Sequence, residues 1–481
     1  MTERFRRMPE RLSPSPIASR IFPYNEPTML RRMLSASVAL CALCSAQSAD
    51  EWKAQALALK SKGDIAGALA ALERAAERAP ASAELQDEIG VVFDGLNRPP
   101  EAIAHFARAA QLNPNFAPAQ YHLGTAYWLK NEREKGLAAL QRAAALDPKN
   151  PEYRRRLGTA YYELARYAEA ARELREAAEL QPADGETWNR LGLARERAGD
   201  LWNAIEAYRK AVEAEPKNTN ARNNLALLLV QMHSYDKGIE EFRKILELEP
   251  QNGVARMNLG FALLRKGDLD QAAAHFQEAT RRNPNLAAGY YNLGLALKEK
   301  KDLKGAIAAL KKAIEIDSRF AEAHYTLGAI YWQQGKLSET AGEMRAAIAS
   351  RPGYSEAWYL LGAALRQRGD LPDAGKALRE AIRLDPHNPD CYTVLAEILK
   401  KQGDDAGSRA MAVHAVQIQR EKQAQQAAAQ HLSAGAERLA KGDLAGAERQ
   451  FRLALAAAPN WDQAKRYLEE TERRKEAARG K

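Results

Sequence analysis

Prolines recur at positions 80, 114, 148, 182, 216, 250, 284, 352 and 386, every interval being 34 residues or twice 34. The one skipped position carries Ser318 inside an otherwise intact copy, IEIDSRF. Small residues keep the same phase, as Gly90, Gly124, Gly158, Gly192, Gly260, Gly294, Gly328 and Gly362, each 24 before the proline position. A second set lies 12 before it, among them Ala68, Ala102, Gly136, Ala170, Ala204, Gly238, Ala272 and Ala306. Positions that admit only small side chains mark places where two backbones pass close together. A fixed period of this length is the signature of a structural unit stacked on its own copies. Most of the 481 residues therefore form one quasi-linear array, where length alone would suggest about three domains.

The copy from Phe116 to Pro148 explains the unit. Gln120, Leu123, Gly124 and Tyr127 follow the i, i+3, i+4, i+7 spacing of a helix with one buried stripe. A second helix buries Leu137, Leu140, Ala144 and Leu146. Between them, at position 15 of each copy, stand Gly63, Gly199, Gly267, Gly335, Gly369, Gly403 and Gly442, with Asn97 and Asn131 in two others. These residue types enter a left-handed helix cap at little cost, and the proline at position 32 cannot continue a helix. The spacing predicts turns at 63, 97, 131, 165, 199, 233, 267, 301, 335, 369, 403 and 442, with no β-sheet. One helix pair buries too little apolar surface alone, so stability comes from stacking.

The period, the small residue at position 8, alanine at 20 and 27, a large apolar residue at 24 and proline at 32 resemble the tetratricopeptide repeat. About twelve copies begin near residues 49, 83, 117, 151, 185, 219, 253, 287, 321, 355, 389 and, after a slip in phase, 428. The resemblance implies an all-α, right-handed α-solenoid of about twelve helix hairpins with a C-terminal capping helix.

Outside the array, residues 1–28 are polar and proline-bearing and read as a disordered or mis-started extension. Residues 29–49 place Arg31 and Arg32 before the apolar run Met33 to Cys44 and then small residues, the order of a secretory signal peptide; an irregular arm is the alternative. Repeats fill 50–404, an extended helix 405–430, a last repeat 431–460, and a capping helix and tail 461–481. The extended helix is inferred from the phase break and from a stretch, Ser408 to Gln430, rich in helix formers and free of Gly and Pro; a Gln-rich linker is the alternative. No stretch approaches the ~20 apolar residues of a membrane span, so no integral membrane segment is expected after signal removal. Removing residues 1–49, with seven Arg and three Glu, lowers the net charge from +9 to +5. Spread over a large surface, this argues against a nucleic-acid partner. Cys391 is the only cysteine beyond the leader, and the eight histidines fall at most one to a repeat. No cofactor, metal site or catalytic residue is expected, since no GxGxxG, P-loop, GxSxG or HExxH occurs.

What remains is surface. Positions 5, 9 and 12 of each first helix lie about 150° from the buried stripe at ~100° per residue. They carry Tyr121, Trp128, Tyr162, Phe261, Tyr291, Tyr325, Trp332 and Tyr359. In the family this face holds extended peptides, so the resemblance makes these residues groove-lining; packing between neighbouring first helices is the competing reading. At position 6, Asn224, Asn258 and Asn292 recur in consecutive copies, each offering a donor and an acceptor to a peptide backbone. The row resembles the asparagine ladder in the repeat region of O-linked N-acetylglucosamine transferases, although no catalytic domain follows. A carboxylate clamp is not expected, because position 9 holds Thr125, Thr159, Leu193 and Leu227. The expectation is a non-enzymatic scaffold or assembly factor that binds a protein or peptide ligand, periplasmic or secreted. The alternatives are a cytoplasmic adaptor and the substrate-recruiting subunit of an enzyme complex such as a glycosyltransferase.

Overall fold

The computed structural model describes residues 47–479; the extension 1–28 and the leader up to residue 46 lie outside the described residues. Among these, twenty-four helices and no strand occur. First helices of 13 or 14 residues alternate with second helices of 14, from Ala49–Ser61 and Ile65–Arg78 to Ser355–Arg368 and Leu371–Leu384. All twelve expected turn positions have a positive φ, and five of them are not glycine: Asn97, Asn131, Ala165, His233 and Lys301. The repeat fixes the turn even where the residue type resists it. The described residues divide into two compact units, one up to Asp200 and one from Leu201.

Second helices are started by a device that recurs in both units. Asp64, Asp302, Asp404 and Asp443 accept a hydrogen bond from the amide three residues on, at Gly67, Gly305, Gly407 and Gly446. An aspartate at this cap satisfies one of the orphan amides of the first turn. Inside each hairpin the small residues permit close crossing. A Cβ on Gly90 would fall 2.5 Å from the Phe106 ring, and one on Gly260 2.7 Å from Phe276. In the first unit Leu72, Ile89, Phe93 and Phe106 share one core; in the second, Phe242, Ile245, Leu259, Leu263 and Phe276 share another.

Consecutive repeats are tied by a joint. Proline at position 32 stops the second helix and leaves carbonyls without an intrahelical donor. The side chain at position 4 of the next repeat supplies one. Arg154 Nε donates to Pro148 O at 2.6 Å, Trp188 Nε1 to Pro182 O at 3.0 Å, and Arg222 Nε to Pro216 O at 3.1 Å. Trp358 does the same to Pro352 O at 2.9 Å. His324 Nε2 donates to the Ser318 carbonyl at 3.1 Å, so the joint survives the loss of that proline.

The phase break is one continuous helix of 36 residues, Asp405–Ala440. The extended helix expected to end at 430 runs ten residues further and becomes the first helix of the last hairpin. Helix Leu444–Ala457 completes that hairpin, and Asp462–Arg479 closes the array with Ala464 buried and Trp461 and Leu468 against the same core.

Candidate peptide-binding face

Positions 2, 5, 6 and 9 of a first helix share the face opposite its buried stripe. Many side chains there are already committed to neighbours in the first unit. Tyr121 donates its hydroxyl to Glu152 Oε1 at 2.8 Å and stacks on Tyr153 with ring centroids 4.9 Å apart. Burial and that carboxylate push its pKa up to about 12. His122 Nδ1 lies 2.8 Å from Asp87 Oδ1. Arg190 is held by Glu186 at 2.9 Å and reaches the Thr159 hydroxyl at 3.4 Å. Tyr162 meets Tyr167 edge-on at 5.5 Å and lines a cleft of about 230 Å³ with Thr159, Glu186, Arg190 and Leu193.

Trp128 needs a correction. The lone-hairpin geometry puts it outward, yet it is only 6% exposed. Its indole Nε1 donates to Glu163 Oε2 at 2.7 Å in the next first helix, and Arg133 lies over its ring at 5.0 Å. Trp128 joins repeats and offers a ligand little surface. The second-unit tyrosines behave similarly in part. Tyr291 packs on Phe320 and Tyr325 on Tyr354, each with ring centroids 5.0 Å apart. Burial raises the pKa of Tyr291, Tyr325 and Tyr359, and Trp332 and Tyr359 rest against the core around Leu361 and Leu365. All four are half-buried, so each presents one edge to solvent while packing with the other.

The asparagine row is also divided. Asn258 Nδ2 donates to Asn223 Oδ1 of the preceding repeat at 2.9 Å, a lateral bond between repeats. The Asn292 side chain makes no hydrogen bond to the described residues, Asn224 has a partner within the chain, and both are half-buried. Around them the face changes character. From residue 219 to 299 the twelve residues at positions 2, 5, 6 and 9 include no Asp, Glu, Lys or Arg. Three are large, apolar and open: Leu227 at 41% exposure, Val254 at 67% and Phe261 at 40%. The sequence reading missed Val254 and gave Leu227 no binding role; the signal that finds them is the run of uncharged residues at these positions.

Among the described residues no group of three His, Cys, Asp or Glu side chains could hold a metal ion. Cys391 is buried and its thiol is pushed up to about 12, mainly by that burial, so it is a packed apolar side chain and not a thiolate nucleophile. No described helix is long and apolar enough to cross a membrane.

A family model described as Tetratricopeptide repeat matches residues 53–115, 155–219, 223–287 and 325–389, more than half of the chain. A second model of that description matches 95–155 and 365–431, and a TPR repeat model matches 295–335. The chain belongs to the tetratricopeptide repeat family. No curated protein matches it. Among solved structures it is similar to YrrB, titled a TPR protein with an unusual peptide-binding site, at 24% identity over 39% of this chain and 96% of that one, TM-score 0.32. MamA from Desulfovibrio magneticus RS-1 matches at 24% identity over 35% and 96%, TM-score 0.33. A Naa15/Naa10 structure bound to HypK-THB matches at 15% identity over 89% and 78%, TM-score 0.40.

Proposed function

We propose that this protein is a scaffold or assembly factor that holds an extended, uncharged polypeptide segment against the first helices of residues 219–299, and that it works in the cell envelope. The observation that carries the reading is the run of twelve uncharged outward positions, with Leu227, Val254 and Phe261 open beside Asn224, Asn258 and Asn292. Apolar side chains of the ligand find area there, and main-chain groups find amides. A charged segment would lose hydration and meet no opposite charge at positions 2, 5, 6 and 9; the cation beside them, Arg265, already lies over the Phe261 ring at 5.9 Å.

Panning the chain from residue 47 against a random peptide library tests this, because enriched sequences should have uncharged, apolar centres. The double substitution L227E/F261E should weaken the best peptide at least ~30-fold, given the ~1 kcal/mol or more that each partly exposed apolar contact contributes. Its melting temperature should hardly change. Enrichment of charged sequences, or affinity unmoved by the double substitution, would overturn the reading. Export is supported by the basic, apolar, small-residue order of residues 29–49. Cleavage after Ala46 would also retain Ser48, whose hydroxyl accepts from Glu51 N while Glu51 answers to Ser48 N, a reciprocal cap on the first helix. N-terminal sequencing of the natural protein should therefore begin at Gln47; recovery of intact residues 1–28 would reject export.

A further inference from the structure

Positions 4 and 23 of a repeat face each other, and wherever else both are polar they are matched. Arg154 meets Glu173 at 2.9 Å, Arg222 meets Glu241 at 2.5 Å, and His324 meets Glu343 at 2.7 Å. Where no charge is used, a histidine meets a glutamine: His105 lies 2.9 Å from Gln86 Oε1, and His431 2.8 Å from Gln450 Oε1. The repeat that begins at Gly253 departs from both patterns. Its position 4 is Arg256 and its position 23 is His275, so two donors stand where the five polar pairs hold a donor and an acceptor and the remaining repeats hold an apolar residue at position 23.

The consequence is visible in the hydrogen bonding. Arg256 Nη2 keeps the joint to the Pro250 carbonyl at 2.8 Å. Its Nε, however, is buried without a partner, and no other described side-chain N or O atom buried in this way lacks one. Further cations surround it. Arg282 Nη1 donates to the same Pro250 carbonyl at 3.3 Å, and Arg243 reaches Gln271 of the next repeat at 3.2 Å. The neighbouring carboxylate, Glu278, is taken by Arg281 at 2.7 Å and by Arg282 at 2.5 Å. Burial and the charges of Arg256 and Arg243 hold the His275 pKa down, and Arg256 is likewise lowered by burial and Arg282.

We infer that Arg256, His275 and Arg282 form a binding site for a small oxyanion, of the phosphate or sulfate class, seated where Glu173 and Glu241 place their carboxylates in the other repeats. Guanidinium forks suit the paired oxygens of such an anion. The site uses the side chains between the two helices of one hairpin and is independent of the outward face at positions 2, 5, 6 and 9.

The test is thermal melting and calorimetric titration of the chain from residue 47 with inorganic phosphate, against chloride at equal ionic strength. The wild type should bind phosphate saturably and melt higher in it. His275→Glu brings the missing carboxylate into the chain, so this variant should melt higher than wild type in chloride and bind phosphate at least tenfold more weakly. His275→Gln, a residue the same position tolerates at Gln450, provides a second variant and should lose part of the phosphate response while folding normally. A peptide bearing phosphoserine, compared with its unphosphorylated form, separates a phosphoryl group on a partner from free phosphate. Absence of saturable binding in the wild type, or an equal phosphate response in His275→Glu, overturns the inference and leaves the arginines as an unfavourable structural cluster.

Discussion

The outward faces of the first helices differ sharply between the two units. In the first, Asp87, Tyr121, His122, Trp128, Glu152 and Arg190 are cross-linked to one another or to their neighbours by hydrogen bonds and ion pairs. In the second, residues 219–299 put no charge at positions 2, 5, 6 and 9 and leave Leu227, Val254 and Phe261 open. A side chain consumed by a neighbouring repeat stabilises the array, and one left unpaired is available to a partner. Repeats of one family thus divide structural and binding work by how far their outward positions are satisfied internally.

The largest effect that would break this comparison is at Trp128. Its replacement by alanine empties a 6%-exposed site and leaves Glu163 with Arg133 as its remaining partner, so denaturant unfolding should show a loss of ~3–5 kcal/mol. Affinity for an uncharged peptide at residues 219–299 should stay the same; a fall in affinity at preserved stability would place the ligand on the first unit. Next come the asparagines. Asn292→Ala should lower peptide affinity by ~1 kcal/mol per hydrogen bond with little change in melting, whereas Asn224→Ala should also cost stability, because Asn224 already has a partner within the chain. Asn258→Ala should also destabilise the fold by ~1 kcal/mol, because Asn223 loses its donor. Equal behaviour of all three would blur the line between packed and open positions.

A smaller effect concerns pH. Arg154 holds its joint at any pH, whereas His324 sits between the Glu343 carboxylate and the Ser318 carbonyl, and bonds both only when protonated. The Glu343 hydrogen bond raises its pKa above the usual 6.5. A raised folded-state value means that the stabilisation is full below about 6.5 and is lost as pH rises through the folded value. Melting followed from pH 6 to 9 should decline more in the wild type than in His324→Arg. The smallest effect should appear equally in both units. Ala165→Gly and Lys301→Gly relieve left-handed backbone at φ of 56° and 65°, each raising stability by about 0.5–1 kcal/mol in thermal melts.

The fold was legible because the repeat imposes its sterics at fixed intervals. Phase alone located the turns at Ala165, His233 and Lys301, where no residue preference would have. The site was less legible, for a geometric reason. Helical angle tells which residues leave a lone hairpin but not what the next repeat brings against them. Tyr153, Phe320 and Tyr354 stand in front of Tyr121, Tyr291 and Tyr325. Likewise Asn223, adjacent to the predicted rung Asn224, turned out to be the partner of Asn258. The joint at position 4 has no single-residue signature, since arginine, tryptophan and histidine all reach the same carbonyl. Only their shared ability to donate unites them.

The helix Asp405–Ala440 changes how opening travels along the chain. The last hairpin has a core of its own, with Leu432, Leu439, Phe451 and Ala464, separate from the core that includes Leu395, Ile398 and Leu399. Between them no residue from Val416 to Ala427 is buried, the flanking buried positions being Ala415 and Ala428, and Val416 is 51% exposed. Elsewhere a repeat cannot open without exposing its neighbour's apolar surface. Here the boundary between order and coil can move along a single helix one residue at a time, each step costing little. Amide exchange should therefore record a slow array up to Leu399, a gradient through residues 416–427, and a terminal hairpin that opens and closes as an independent unit.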